Sequence, residues 1–174
     1  QKFKGFGATI ANSPREMMNI CDVVITCLPS PSISASVMEG ADGLLNSIKP
    51  GKVWMEMSTT DEAEVKRLGA LVKNKGGQPV DCPVSGGCHR ADTGNISIFA
   101  GCERETFEFI FPLLKKMGRR ILHTGPLGSA SILKVLTNYL ATANLITCSE
   151  ALVVAKAAGM DLNTTYEAMR ISSG

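Results

Sequence analysis

The chain has 174 residues, of which 44% are hydrophobic and 20% charged, and its formal net charge is +2. That composition excludes a disordered tail, a collagen-like repeat and a coiled coil, and the length suits one domain, or one domain with part of a second. Lys and Arg are mixed among Asp and Glu, so no basic face is available for nucleic acid.

The first element signal is Ser13-Pro14-Arg15-Glu16, where a capping serine, a proline at the first helical position and a glutamate three residues on start a helix. Asp22 to Leu28 is a strand, and the loop Cys27-Leu28-Pro29-Ser30-Pro31 leaves its end. Lys52 to Met57 is the next strand. After Met57-Ser58 the capping pattern recurs in Thr59-Thr60-Asp61-Glu62, opening a helix through Val65, Leu68, Leu71 and Val72 that Gly76-Gly77 ends. Gln78 to Cys82 and Asn95 to Gly101 are further strands, followed by a helix over Arg104 to Met117 in which Pro112 predicts a kink. Arg120 to His123 is the last strand. Two of the strands are nearly all apolar, as expected where both faces are covered, and the alternation with helices points to an α/β layer fold with a largely parallel sheet.

Beyond Gly125-Pro126-Leu127-Gly128 the pattern changes to helix only, over Ser129 to Ala158 as one long helix or two, and again over Thr164 to Ile171. The expected domains are therefore 1–124 and 125–174. The uncharged stretch Val135 to Ser149 is interrupted by Thr137, Asn138, Thr142, Asn144 and Thr147, so it is expected to fall short of the roughly 18 apolar residues of a membrane span. The six cysteines form no CxxC pair and only two histidines accompany them, so they are read as reduced thiols of a cytoplasmic or organellar protein, with no metal site. Both ends look cut and no targeting peptide is visible, so an internal piece of a longer protein is expected.

Three loops could carry chemistry, because ligands of open α/β sheets bind beyond the carboxyl ends of the strands. In Asp81-Cys82-Pro83-Val84-Ser85-Gly86-Gly87 a hydroxyl stands beside two glycines whose backbone N–H groups an anion can approach; the alternative is a plain glycine turn. The loops at Leu28-Pro29 and Ser58-Thr59 are the other two. Lys134 stands among Ile132, Leu133, Val135 and Leu136, with Asn138 one turn on along the same helix face. An ammonium there costs desolvation energy unless it faces a cleft, although a lysine snorkelling to water is the ordinary alternative. As a base it needs its pKa of about 10.4 lowered; three units, about 4 kcal/mol, are within reach of an apolar site. Glu56 is a weaker carboxylate candidate within its strand. His89 reads as a surface residue and His123 as structural.

Together, DCPVSGGCHRADTGNISIFAG, GPLGSASILKVLTN and EALVVAKAAGMDL resemble the β-hydroxyacid dehydrogenase family, on the branch that oxidises 3-hydroxyisobutyrate in valine breakdown. The resemblance covers essentially the whole chain. It implies an N-terminally incomplete Rossmann-like NAD(P)-binding domain followed by the start of an all-helical domain. It also implies Lys134 as general acid/base, Ser85, Gly86, Gly87 and Asn138 at the substrate, and Leu28, Pro29 and Thr59 at the cofactor, NAD or NADP. A small hydroxyacid partner and a homo-oligomer built through the helical domain follow, with no membrane or nucleic acid, in the cytoplasm, or the mitochondrial matrix of a eukaryote.

Ala130 stands where the family has a second glycine, and Thr137 where it has the first of two asparagines. No GxGxxG phosphate turn occurs, so the piece alone is expected to be inactive. Tartronate or succinic semialdehyde reductases of the same family are the neighbouring reading. A non-catalytic nucleotide-binding relative is the reading from another class, which retention of Lys134 and Asn138 disfavours.

Overall fold

The computed structural model describes residues 3–172. The chain falls into two compact units, Gln1–Lys134 and Val135–Gly174. The first unit is a Rossmann-like α/β layer. After a short 3-10 turn, helix α1 (Pro14–Ile20) leads into β1 (Val23–Thr26), α2 (Pro31–Glu39), a second 3-10 turn, β2 (Val53–Glu56), α3 (Glu62–Asn74) and β3 (Gln78–Asp81). Then come β4 (Val84–Ser85), α4 (Cys88–Asp92), β5 (Ile96–Gly101), α5 (Arg104–Met117) and β6 (Gly118–Gly125). Helix α6 (Ser129–Ala157) begins in this unit and continues into the second, which α7 (Leu162–Ile171) follows.

Capping chemistry places the early helices. Ser13 and Ser30 each precede a proline and accept a backbone N–H three residues on, from Glu16 and Ile33. For α3 the cap is Asp61, which accepts from Glu64, so the helix starts later than the Thr59 pattern suggests. Helix α5 has the expected bounds and runs through Pro112 to Met117 as a single element.

The sheet order is β1-β2-β3-β5-β4, with β6 paired to β5. β1, β2 and β3 are parallel, with Thr26 beside Glu56 and Glu56 beside Asp81. The sheet is largely parallel, as expected, but mixed beyond β3, where β5 runs antiparallel to β3 and β4 and parallel to β6. The chain bends after Asp81, and β4 continues along β5 with Ser85 beside Ser97.

β2 is buried throughout, and its side chains feed two cores by alternation. Val53 and Met55 join Val80, Ile98, Phe107 and Leu114 on the α5 face. Trp54 joins Met18, Val24, Met38, Leu68 and Val72 on the opposite face, where its indole N–H donates to Thr26 at 2.9 Å. Sandwiching the sheet in this way removes apolar surface on both sides from water and explains the unbroken apolar strands.

By length and composition α6 is apolar enough to cross a membrane, which corrects the expectation that no stretch reaches that measure. The charge-free interval between Lys134 and Glu150 is bracketed by further mildly apolar Ala, Val and Ile residues, which the count of contiguous apolar residues overlooked. Its first turns are packed within the α/β unit, where Ala130, Ser131 and Lys134 are buried. In the second unit α6 exposes Leu145, Ile146, Val153 and Val154, and Asp161 caps α7 by accepting from Thr164.

Candidate active site

The carboxyl ends of β1, β2 and β3 bring a row of polar side chains together on the α3 face. Thr26, Glu56 and Asp81 are register neighbours and are 5%, 1% and 0% exposed. Glu56 accepts the Ser58 backbone N–H through Oε1 at 2.8 Å, while Oε2 is buried without a hydrogen-bond partner. The Ser58 hydroxyl in turn accepts the Leu28 N–H at 2.7 Å. One buried carboxyl group therefore fixes the β2 loop, and that loop fixes the β1 loop.

The two loops leave the carboxyl ends of adjacent parallel strands, the end of an open α/β sheet beyond which ligands bind. Leu28 is half-buried, Pro29 and Thr59 are exposed, and the neighbouring Thr60 hydroxyl is buried without a partner.

The glycine loop has a backbone that only glycine readily adopts. Gly86 and Gly87 have φ of +132° and +76°, conformations that L side chains rarely adopt. A Cβ on Gly86 would come within 2.8 Å of the Arg90 side chain, which lies against the loop. Ser85 is half-buried in β4 and lines an open groove of about 560 Å³ with Ser97, Phe99, Arg119 and Arg120. Arg90 lines a second groove of about 330 Å³ with Asn95, Arg119 and Arg120. The sequence reading assigned these arginines no part in the site.

Lys134 lies in the second turn of α6 and is 9% exposed, so the snorkelling alternative does not describe it. Burial lowers the pKa of its ammonium from the usual lysine value. Asn138, one turn further, is exposed and falls in the second unit. His89 is exposed, and His123 is structural: its Nε2 lies 2.9 Å from the Cys102 carbonyl and its ring stacks 4.7 Å from Phe107. All six thiols are free, and burial pushes Cys82 up and Cys102 to about 12, which makes both poor nucleophiles.

Asp81 was not among the residues singled out from the sequence, and it makes the contact that joins β3 to the start of α6. Its carboxylate accepts the Ser131 N–H at Oδ2 and the Ser131 hydroxyl at Oδ1, each at 2.7 Å. Helix α6 has no acidic residue in its first turn and a glycine before Ser129, so its N-terminal donors are met from β3. That lack of a local cap was the signal available in the sequence.

Residues 1–125 match the family model described as the NAD binding domain of 6-phosphogluconate dehydrogenase, and residues 128–174 match that described as NAD-binding of NADP-dependent 3-hydroxyisobutyrate dehydrogenase. The chain belongs to the β-hydroxyacid dehydrogenase family. A probable mitochondrial 3-hydroxyisobutyrate dehydrogenase of Dictyostelium discoideum is 32% identical over 92% of this chain and 50% of its own. An NAD-dependent L-serine dehydrogenase of Pseudomonas aeruginosa is 35% identical over 97% of this chain and 56% of its own. The 3-hydroxyisobutyrate dehydrogenase of Mycobacterium tuberculosis, solved with L-serine, superposes with a TM-score of 0.87 at 26% identity, covering 94% of this chain and 55% of that one. The chain thus spans about half the length of the curated relatives it matches. NAD or NADP is the cofactor of this dehydrogenase family, in keeping with the two family models.

Proposed function

We propose that this chain supplies the catalytic lysine and the carboxylate-binding loop of an NAD(P)-dependent dehydrogenase of short β-hydroxyacids, with 3-hydroxyisobutyrate as the leading substrate. The burial of Lys134 carries the reading. A lysine with its ordinary pKa is almost wholly protonated near neutral pH and is a poor base, whereas one shifted down by desolvation holds a larger share of free amine. Ser85, Gly86 and Gly87 grip the substrate carboxylate through the hydroxyl and exposed backbone N–H groups, and Asn138 orients the substrate from the same helix as the lysine. Leu28, Pro29 and Thr59 hold the nicotinamide half of NAD(P).

Bound NAD(P) supplies the hydride acceptor. As the carbinol carbon loses hydride, the Lys134 Nζ takes the hydroxyl proton and becomes an ammonium while the C–OH becomes C=O. In the reverse direction the same ammonium returns the proton. A serine-like β-hydroxyacid has the same carboxylate and hydroxyl and fits the same roles, as the name of the Pseudomonas relative suggests. The domains divide at 124/125, just before the Gly125-Pro126-Leu127-Gly128 segment that joins β6 to α6. The intact protein is a homo-oligomer assembled through helical segments, and this piece alone is inactive. Its compartment is the cytoplasm, or the mitochondrial matrix in a eukaryote.

The test is Lys134→Ala in the intact protein, assayed with 3-hydroxyisobutyrate and L-serine. Turnover is expected to fall at least about 100-fold, the scale of general-base catalysis, with KM for cofactor little changed. Near-normal turnover would overturn the reading.

A further inference from the structure

We propose that Asp81 is a positioning residue for Lys134, holding the start of the lysine's helix against the strand that leads into the glycine loop. This deepens the proposed function and rests on Lys134 being the base.

Asp81 ends β3, four residues before Ser85, and Ser131 lies three residues before Lys134. One carboxylate therefore spans the two halves of the site. It is fully buried, and both its oxygens are used on Ser131 at 2.7 Å. The Gly128 and Ala130 amides also act on it, so the donors of the first helical turn converge on a single side chain.

The surrounding backbone is fitted to the same junction. A Cβ on Gly101, beside Asp81 in the register, would stand 2.9 Å from the Pro126 carbonyl and from the Ser129 hydroxyl. The Ser129 hydroxyl is also 2.7 Å from that of Thr124 at the end of β6. The helix start is thus set from β3, β5 and β6 together, with both Asp81 carboxylate oxygens on Ser131. Losing that contact frees the first turn to fray, which moves the Lys134 amine and admits water to it. Misplacement of a reacting group by about 1 Å is enough to cost on the order of 100-fold in rate.

The mode of action separates the two side-chain replacements of most use. Asparagine retains an acceptor for the Ser131 N–H and an amide that can donate to the Ser131 hydroxyl, whereas alanine retains neither. In the intact protein, Asp81→Ala is expected to lower kcat at least about 10-fold with KM for cofactor unchanged, and to move the inflection of the kcat pH profile upward as Lys134 becomes hydrated. Asp81→Asn is expected to stay within about threefold in kcat and to keep the inflection in place. Ser131→Ala keeps the backbone bond and should fall between them, which serves if Asp81→Ala does not fold.

A double-mutant cycle removes the remaining ambiguity, since residues that act through one another are non-additive. In a Lys134→Met background, Asp81→Ala should lower the residual turnover by less than about twofold. Full additivity, an Asp81→Asn loss as deep as that of Asp81→Ala, or undiminished kcat in folded Asp81→Ala and Ser131→Ala would each overturn the positioning role. Normal turnover in Lys134→Met itself would instead remove the assignment of the base, a separate result visible in the single variant.

Discussion

Glu56 and Asp81 are direct neighbours in the parallel register of β2 and β3, both buried, yet one organises a loop and the other a helix. Glu56 holds the Ser58 N–H and leaves its second oxygen unpartnered, whereas Asp81 uses both oxygens on Ser131.

That difference gives the first expectation. Glu56→Gln retains the acceptor for Ser58, so its unfolding free energy should stay within about 1 kcal/mol of the parent. Glu56→Leu leaves the buried Ser58 N–H without a partner and should lose roughly 1 to 3 kcal/mol. Urea unfolding of the three proteins checks this, and equal stabilities would show that the Ser58 bond contributes nothing.

For Asp81 the linkage has the opposite sign from that of a surface carboxylate. Burial raises its pKa above the usual carboxylate value against the opposing hydrogen bonds from Ser131, Gly128 and Ala130. The native state then binds the proton more tightly than the unfolded state. Its contribution to stability is complete below the unfolded value near 4 and is lost as pH rises through the folded one. Asp81→Asn does not titrate there, so the stability difference should shift in the variant's favour as pH rises from 3. A difference independent of pH would show that Asp81 has no raised pKa.

Gly86→Ala tests the anion loop. The new methyl group needs φ near +132° and meets the Arg90 side chain, so the loop must shift. KM for the hydroxyacid should rise at least about 10-fold with KM for cofactor within twofold. An equal rise in both would mean general disruption rather than loss of the carboxylate site.

The readable part of the fold was the part with strong local signals. The parallel strands β1 and β2 stand out as apolar runs, β2 because it is covered on both sides, and α5 has one apolar face with lysines in its last turn. Helix α2 went unnoticed although Ser30-Pro31 repeats the Ser13-Pro14 signature; its serine-rich sequence carries only a weak apolar stripe. Strand direction beyond β3 was not legible, because an apolar strand such as β5 looks alike in either orientation. Of the site, Lys134 was visible as a charge in an apolar run and the glycine loop as composition. The Asp81–Ser131 contact links residues 50 apart and exists only once β3 and α6 have packed.

The pH dependence of kcat for hydroxyacid oxidation, measured in the intact protein and in Lys134→Ala, tests the central claim most directly. Because burial lowers the Lys134 pKa, the free amine accumulates below the usual lysine value of 10.5. The rate should therefore rise with pH to a plateau whose inflection lies below that value, and the inflection should vanish in the variant. An inflection that survives unchanged in Lys134→Ala would assign the base to another group and contradict the account.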